Sequence, residues 1–400
     1  MFSTSWAPVL VFLMIISLLR RQELLFTASV LVLVVTLAAR WWGRLSLKGV
    51  LFEKCICPAR TFPGEPARLV VTLENHKLLP VTWLQLEEDI PDGMGLRGGR
   101  VGGHHLPGRK RLLSFMSLGH YERVRREYEV RAMRRGYFAF GPGRLTCGDP
   151  FGFFKETLTL HDVSYLLVYP RIMTLQSLGL PAHRPLGDIR SADRLLEDPT
   201  FVSGSRDYDP SDGFRRIHWK ASARVGRLQA KVYETREETG VAVFLNAATC
   251  DPPWSGLDPD VLDAVIDVAA SVFCHCLEAR HPTGMFSNGH VTGVGPFPRI
   301  PPGRSPGVLE EVLEALARVC GASESICGLL DSEIPALPAG CAVVLVTAVT
   351  GEGLKRAVEA AGMSGRPVTA LLVGRHAELE PSRGVTVRRV HFDGGGWLGW

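Results

Sequence analysis

Residues 206–238 read RDYDPSDGFRRIHWKASARVGRLQAKVYETREE, a stretch with eight basic and six acidic side chains. Tyr208, Ile217, Trp219, Leu228 and Val232 stand among those charges. A solvated charge run is usually of one sign or lacks large aromatics. Alternating sign around embedded apolar residues predicts a structured charge network at a junction. The periodicity of the chain differs on its two sides, so the junction separates two kinds of fold.

On the C-terminal side, VAVFLN at 241–246 is a short apolar run suited to a strand buried on both faces. Residues 257–280 place Val261, Leu262, Val265, Val268, Ala269, Val272, Phe273 and Cys276 at helical spacing. Short strands are expected at 283–287 and 291–294, and a helix over 306–320. Further strands fit 341–347, 367–374 and 385–392, with a helix over 351–362 that closes near Gly362. Strands alternating with helices predict a doubly wound parallel α/β domain over 240–400. Ligands of such folds sit beyond the carboxyl ends of the strands. Here those ends carry residues 246–251 and 347–352.

On the N-terminal side, residues 49–171 alternate with period two. Strand patterns at 69–75, 82–91, 125–133 and 164–170 are punctuated by PGEP, PDGMG, GPG and GDPFG. This predicts an antiparallel β-sandwich, followed by a linker over 172–205. The run 109–135 holds nine Lys/Arg against three Glu. Solvent-facing strand positions account for it; contact with lipid headgroups or an acidic partner is the sharper alternative. GGRVGG at 98–103 does not follow a strand and open a helix, so it is no phosphate loop.

Residues 1–19 and 24–39 carry no charged side chain. Snorkelling arginines and Trp41–Trp42 extend both runs, which predicts a transmembrane helical hairpin over 1–42. Arg40, Arg44, Lys48, Lys54 and Arg60 follow, against Glu53, while the turn offers Arg20 and Arg21. The positive-inside rule then places the soluble regions in the cytoplasm. The nine cysteines include C-x-C at Cys55/Cys57 and Cys274/Cys276 but no zinc-like spacing, which suits reduced thiols in a reducing compartment. A net charge of +4 does not argue for nucleic acid. No serine-hydrolase, zinc-protease or nucleotide-phosphate motif is present. His218, among Asp212, Arg215, Arg216 and Lys220, is better explained structurally than as an acid–base centre, because the cations disfavour a protonated imidazole.

Three sets of residues resemble the DUF58 proteins, membrane-anchored proteins with a von Willebrand factor A-like domain. The first is RRGYFAFGP at 134–142, GDPFGFF at 148–154 and VYPR at 168–171. The second is the opening stretch, with Arg206, Asp207, Tyr208, Asp212, Arg215, Ile217, Trp219, Ala223 and Arg224 at the positions of the family signature. Asp207 stands where Glu is usual and Ser211 where Gly is usual. The third is the order of two spans, sandwich, signature segment 206–238 and α/β domain. The resemblance implies a partner, a MoxR-type AAA+ ATPase, and no defining enzymatic activity. It also implies a metal motif, D-x-S-x-S, after the first α/β strand. This chain has Asn246, Ala248 and Cys250 at those positions and Ala348 at the later acidic one. A hard cation needs carboxylate and hydroxyl oxygens, so no metal and no cofactor are expected. Asp251 is the nearby carboxylate that could support a weak site. The signature is either a set of ion pairs locking the soluble regions together or a docking surface, and the sequence does not separate the two. The expected function is a non-enzymatic membrane-tethered adaptor; the alternative is a metal-dependent ligand-binding module or a cryptic hydrolase.

Overall fold

The computed structural model describes residues 6–20, 22–180, 197–209, 212–235, 240–251, 255–305, 307–338, 340–374 and 377–390. The chain divides into two compact units, Met1–Pro170 and Arg171–Trp400.

The first unit begins with helices α1 (Trp6–Leu19) and α2 (Glu23–Ser46), which pack on each other. At 1.5 Å per residue, the 24 residues of α2 reach about 36 Å, enough for a hydrocarbon core about 30 Å thick. Among the described residues it is the one helix long and apolar enough to cross a membrane. The 14 residues of α1 reach only about 21 Å. Phe12, Leu19, Leu24, Leu31, Val34 and Trp41 are all exposed, an apolar surface that water would penalise.

Two antiparallel sheets follow. One orders Val50–Cys57, Pro66–Asn75, Arg123–Ala132 and Met94–Arg97. The other orders Lys155–Leu160, Gly143–Gly148, Val81–Pro91, Arg109–Leu118 and Arg100–Gly103. Alternate residues of both sheets, including Leu69, Leu73 and Val130 from one and Leu84, Leu86 and Leu112 from the other, share one core. The result is sandwich-like, and the period-two pattern is its cause. A small third sheet joins Arg60–Thr61, Ser164–Val168 and Gly136–Phe140.

Two charged side chains are buried at inward positions of the sandwich. In Val50–Cys57 the inward set is Val50, Phe52, Lys54 and Ile56; in Val81–Pro91 it is Leu84, Leu86, Glu88 and Ile90. Lys54 Nζ and Glu88 Oε1 meet at 2.5 Å with both side chains fully buried. The ammonium also donates to the carbonyls of Phe140 at 3.0 Å and Asp162 at 2.9 Å. Burial pushes the Glu88 carboxyl above its ordinary range, against the opposing pull of Lys54. Lys54 therefore adds no free charge to the basic cluster that follows α2, a correction to the positive-inside count. The Gly141–Pro142–Gly143 turn lies directly over the pair. A Cβ on Gly141 would stand 2.6 Å from the Asp162 carbonyl and 2.8 Å from Lys54 Nζ, and one on Gly143 would strike Glu88 Oε2.

The C-terminal end of α2 is fixed to the sandwich. Lys77 donates to the carbonyls of Leu45 and Lys48, both at 2.7 Å, and to that of Ser46, satisfying carbonyls that the helix end leaves orphaned. GDPFGFF forms the other side of the joint. Asp149, fully buried, accepts from the amides of Phe151 at 2.9 Å and Phe154 at 2.6 Å. Trp83 Nε1 donates to the Asp149 carbonyl at 3.1 Å. Gly43 of α2 approaches Phe154 so closely that a Cβ would lie 3.2 Å from Phe154 Cβ. Lys77→Met is expected to cost about 2 kcal/mol by stranding those carbonyls. Hydrogen exchange checks it: amides 43–50 should exchange faster while those of Pro66–Asn75 keep their protection.

The second unit holds a six-stranded sheet, ordered Ile300–Gly303, Thr283–Ser287, Val241–Leu245, Ala342–Thr347, Val368–Val373 and Val385–Val390. All neighbours run parallel except the edge strand Ile300–Gly303, which is antiparallel and stands where the sequence showed no strand. α3 (Trp219–Val225) precedes the sheet. α4 (Pro259–Glu278) packs on it and on α5 (Val308–Arg318). α6 (Ile326–Glu333) and α7 (Glu352–Met363) share a core with Ala242, Phe244, Val343 and Leu345. Residues 289–291, near the strand expected at 291–294, belong instead to a small accessory sheet with Gly295–Pro296 and Val319–Ala322.

The nine cysteines are free. Burial pushes Cys147, Cys274 and Cys341 up to about 11 and Cys276 up to about 12. Alkylation of the native chain at pH 8 should therefore label the exposed Cys55, Cys57 and Cys320 while sparing these four until unfolding. Each folded value exceeds the ordinary 9.0, so the neutral thiols favour the folded state fully below about pH 9. That contribution is lost as pH climbs toward 11–12.

Candidate functional site

In chain order, the strand sequence of the parallel sheet is 2-1-3-4-5. The order reverses between Val241–Leu245 and Ala342–Thr347, and that switch point is where such sheets hold their ligands. Asn246 lies just past the first of these strands, and Thr347 ends the second. Asn246 Nδ2 donates to Thr347 Oγ1 at 3.0 Å. Asn246 Oδ1 accepts from the Ala248 amide at 3.2 Å and from Asn288 Nδ2 at 3.0 Å. Asn288 Oδ1 accepts from the Ala247 amide at 2.8 Å, and Asn288 Nδ2 also donates to the Glu324 carbonyl at 3.0 Å. Thr347 Oγ1 donates to the Val349 carbonyl at 2.7 Å. Asn246, Asn288 and Thr347 are each at most 2% exposed. The switch point is thus closed by neutral groups that satisfy one another.

The other expected ligand positions add no charge. Ala248 and Ala348 are buried. Cys250 is half-buried, 3.9 Å from the Thr249 hydroxyl, which also accepts from the Asp258 amide at 2.9 Å. Asp251 is exposed beside Gly351, where a Cβ would lie 2.8 Å from its Oδ2. Among the described residues no three His, Cys, Asp or Glu side chains gather as a metal would need.

The signature forms a hairpin. Glu197–Asp207 pairs antiparallel with Gln229–Thr235, so a strand begins within the stretch read as linker. Between the two strands lie a 3-10 turn, Phe214–Arg216, and α3. Arg206 donates to Asp212 Oδ1 at 2.6 Å, and the other Asp212 oxygen accepts from the Asp209 amide at 3.1 Å. Asp207 instead meets Gln229 Nε2 at 2.5 Å and Arg227 at 3.3 Å. The Tyr208 amide donates to the Leu228 carbonyl at 3.0 Å. Ile217 is buried and bridges to Ala230. His218 caps α3: its Nδ1 accepts from the Ala221 amide at 3.2 Å, so that nitrogen is unprotonated and the ring is structural. Ala223 and Arg224 are exposed, and Arg224 makes no ion pair with the described residues. The side chain of Arg215 lies outside the described residues. Among the described signature side chains, Arg206 pairs with Asp212, while Asp207 is bound to Arg227 and Gln229, two residues the sequence reading had not singled out.

Phe214 is 82% exposed and Trp219 68%, and Val225 and Leu228 are exposed beside them in sequence. Lys220, Arg224 and Arg227 are exposed as well. The hairpin thus exposes two aromatic and three basic side chains within fourteen residues, 214–227.

No family model matches the chain. It is similar to a protein of Bacillus subtilis (strain 168) named "Uncharacterized protein YeaD". The two are 23% identical over 334 residues, covering 82% of this chain and 77% of the relative. Among solved structures, the CARDB domain of the PF1109 protein of Pyrococcus furiosus aligns at 12% identity over 30% of this chain and 96% of its own, with a TM-score of 0.20. The GAE domain of GGA2p from Saccharomyces cerevisiae aligns at 13% identity over 30% of this chain and 89% of its own, also at 0.20. Scores that low carry no argument about fold or function.

In the basic run 109–135, Lys110, Arg111, Arg123, Arg125 and Arg131 pair with carboxylates, and Arg109 donates to the Gly141 carbonyl at 2.7 Å. Sequence reasoning missed Asn288, which sits in a Ser-Asn-Gly segment that reads as a turn. It also missed Lys77, whose capping role has no local pattern.

Proposed function

We propose that this chain is a membrane-anchored, non-enzymatic adaptor of the DUF58 type. In this reading residues 1–42 form two spans, and the soluble regions lie on the cytoplasmic side. Residues 240–400 form a von Willebrand factor A-like domain whose metal position is degenerate. The amide network at Asn246, Asn288 and Thr347 supports that reading, because it occupies with neutral groups the place where a cation would need carboxylates.

The observation that carries the functional reading is the outer face of the hairpin. Trp and Arg dominate binding energy at protein interfaces, and exposed aromatics on a rigid frame lose little entropy on docking. Here Phe214, Trp219 and Arg224 are exposed while the polar frame beneath them is internally satisfied. The partner is a MoxR-type AAA+ ATPase, as the resemblance implies, meeting the hairpin with an acidic surface.

Co-purification from membranes tests this. The native chain should retain an AAA+ ATPase, and Trp219→Ala with Arg224→Glu should reduce recovery by about 30-fold, the equivalent of about 2 kcal/mol at a hot spot. Equal recovery with the variant, at unchanged expression and melting temperature, would count against docking at this face.

A further inference from the structure

Charged residues occupy several inward positions of sandwich strands. Lys54 and Glu88 are buried and neutralise each other. Another such residue is Arg126. It lies between Val124 and Tyr128 in the inward set of Arg123–Ala132, and its cross-strand neighbour is the core residue Val71. Yet Arg126 is exposed and makes no ion pair with any described residue. Arg126 lines a cleft of about 810 Å³ to which both sheets contribute residues.

The strand pairings explain the cleft. Met94–Arg97 pairs with the far half of Arg123–Ala132, its last contact being Arg97 with Glu129. The chain then crosses at Gly98–Gly99 to the other sheet, where Arg100 pairs with Leu113. Residues 123–128 of one sheet and 114–118 of the other are therefore unpaired on the cleft side. An open edge of this kind is a template for another strand. The cleft is lined by Arg100, Phe115, Arg125, Arg126, Glu127 and Tyr128 among others. Tyr128 Oη donates to Ser114 Oγ at 2.7 Å and forms its floor between the sheets. Arg125 is held by Glu127 at 2.8 Å, but Arg100, like Arg126, is exposed and without a partner carboxylate among the described residues. Phe115 is 58% exposed at the rim.

We propose that this cleft docks an extended acidic segment of a partner protein, which adds as a strand to the free edge 123–128 and sets carboxylates against Arg100 and Arg126. Backbone hydrogen bonds to the edge supply affinity, and the two arginines select the charge. At about 3.3 Å per residue the edge accommodates roughly six residues of partner. The site is separate from the 206–238 hairpin and does not depend on its role.

The test uses the full-length chain in nanodiscs of neutral lipid. The probe is a fluorescent octapeptide of alternating Glu and Val, compared with its Lys–Val counterpart and with a form N-methylated at alternate residues. Saturable binding of the Glu peptide is expected, with weakening of about tenfold or more for the Lys peptide, for the N-methylated peptide, and in the variant Arg100→Glu with Arg126→Glu. Arg356→Glu, an exposed change on α7 of the second unit, should leave binding intact. The melting temperature of each variant identifies loss of fold, and Arg126→Gln provides a milder second variant that should still bind less. Absence of binding, equal affinity for the Glu and Lys peptides, or full affinity of the N-methylated form overturns the proposal. So does displacement of the peptide by glycerophosphoserine at equal concentration, which would mark a lipid-headgroup site instead.

Discussion

Replacing Lys54 by Met is expected to destabilise the first unit by about 3–5 kcal/mol, because it leaves a buried carboxyl group without its partner. Glu88 already has one oxygen, Oε2, with no hydrogen-bond partner among the described residues. Without the ammonium it has none, and the carbonyls of Phe140 and Asp162 lose their donor as well. Glu88→Leu should cost a similar amount, since it strands a buried ammonium. The double variant, Lys54→Met with Glu88→Leu, should recover most of the loss. Apolar groups of similar volume often replace a buried ion pair at little cost. A residual deficit of about 2 kcal/mol should remain from the two carbonyls. Denaturant unfolding of the three variants in detergent checks all of this. Additive losses in the double variant would mean that the two groups do not interact as a pair.

The second large effect is expected at the switch point. Asn246→Asp is nearly isosteric but exchanges a donor for an acceptor in front of Thr347 Oγ1, whose own proton is committed to Val349. It also places an ionisable group in a site only 2% exposed. The cost should be about 3 kcal/mol or more at pH 7. Burial will raise the pKa of the new carboxyl, so the cost should shrink as pH falls and the group protonates, and grow as pH rises through that value. Millimolar Mg²⁺ should not restore the lost stability, because a second carboxylate is missing from the site. For the same reason calorimetry of the native chain should give no saturable heat with Mg²⁺ or Mn²⁺. Rescue of the variant by Mg²⁺, or saturable binding to the native chain, would show that oxygen ligands converge here after all.

Most of the α/β sheet was legible because its strands are unbroken apolar runs. Val241–Leu245, Ala342–Thr347 and Val368–Val373 are buried on both faces, so no polar residue interrupts the signal. Ile300–Gly303 was not legible: two prolines and a glycine in four residues argue against a strand, and only the edge position tolerates them. The two N-terminal apolar runs illustrate a different limit. Composition marks both apolar runs equally, but length separates α2 from α1. The inward charges were readable in principle. Alternation through Val50, Phe52, Lys54 and Ile56 puts Lys54 among core residues, yet counting it with the juxtamembrane cations hid this. Ion pairing in the signature was less legible, because the partner of Asp207 depends on which strand register brings Gln229 and Arg227 alongside it.

The proposed function requires that exposed side chains of the 206–238 hairpin meet an AAA+ ATPase. The most direct measurement is photocrosslinking in intact membranes, with a benzophenone amino acid at position 214 or 219 and, as control, at the exposed position 363 of α7. An adduct with an AAA+ ATPase is expected at the first two positions and none at the third. Adducts confined to lipid, or the same adducts at all three positions, would contradict it.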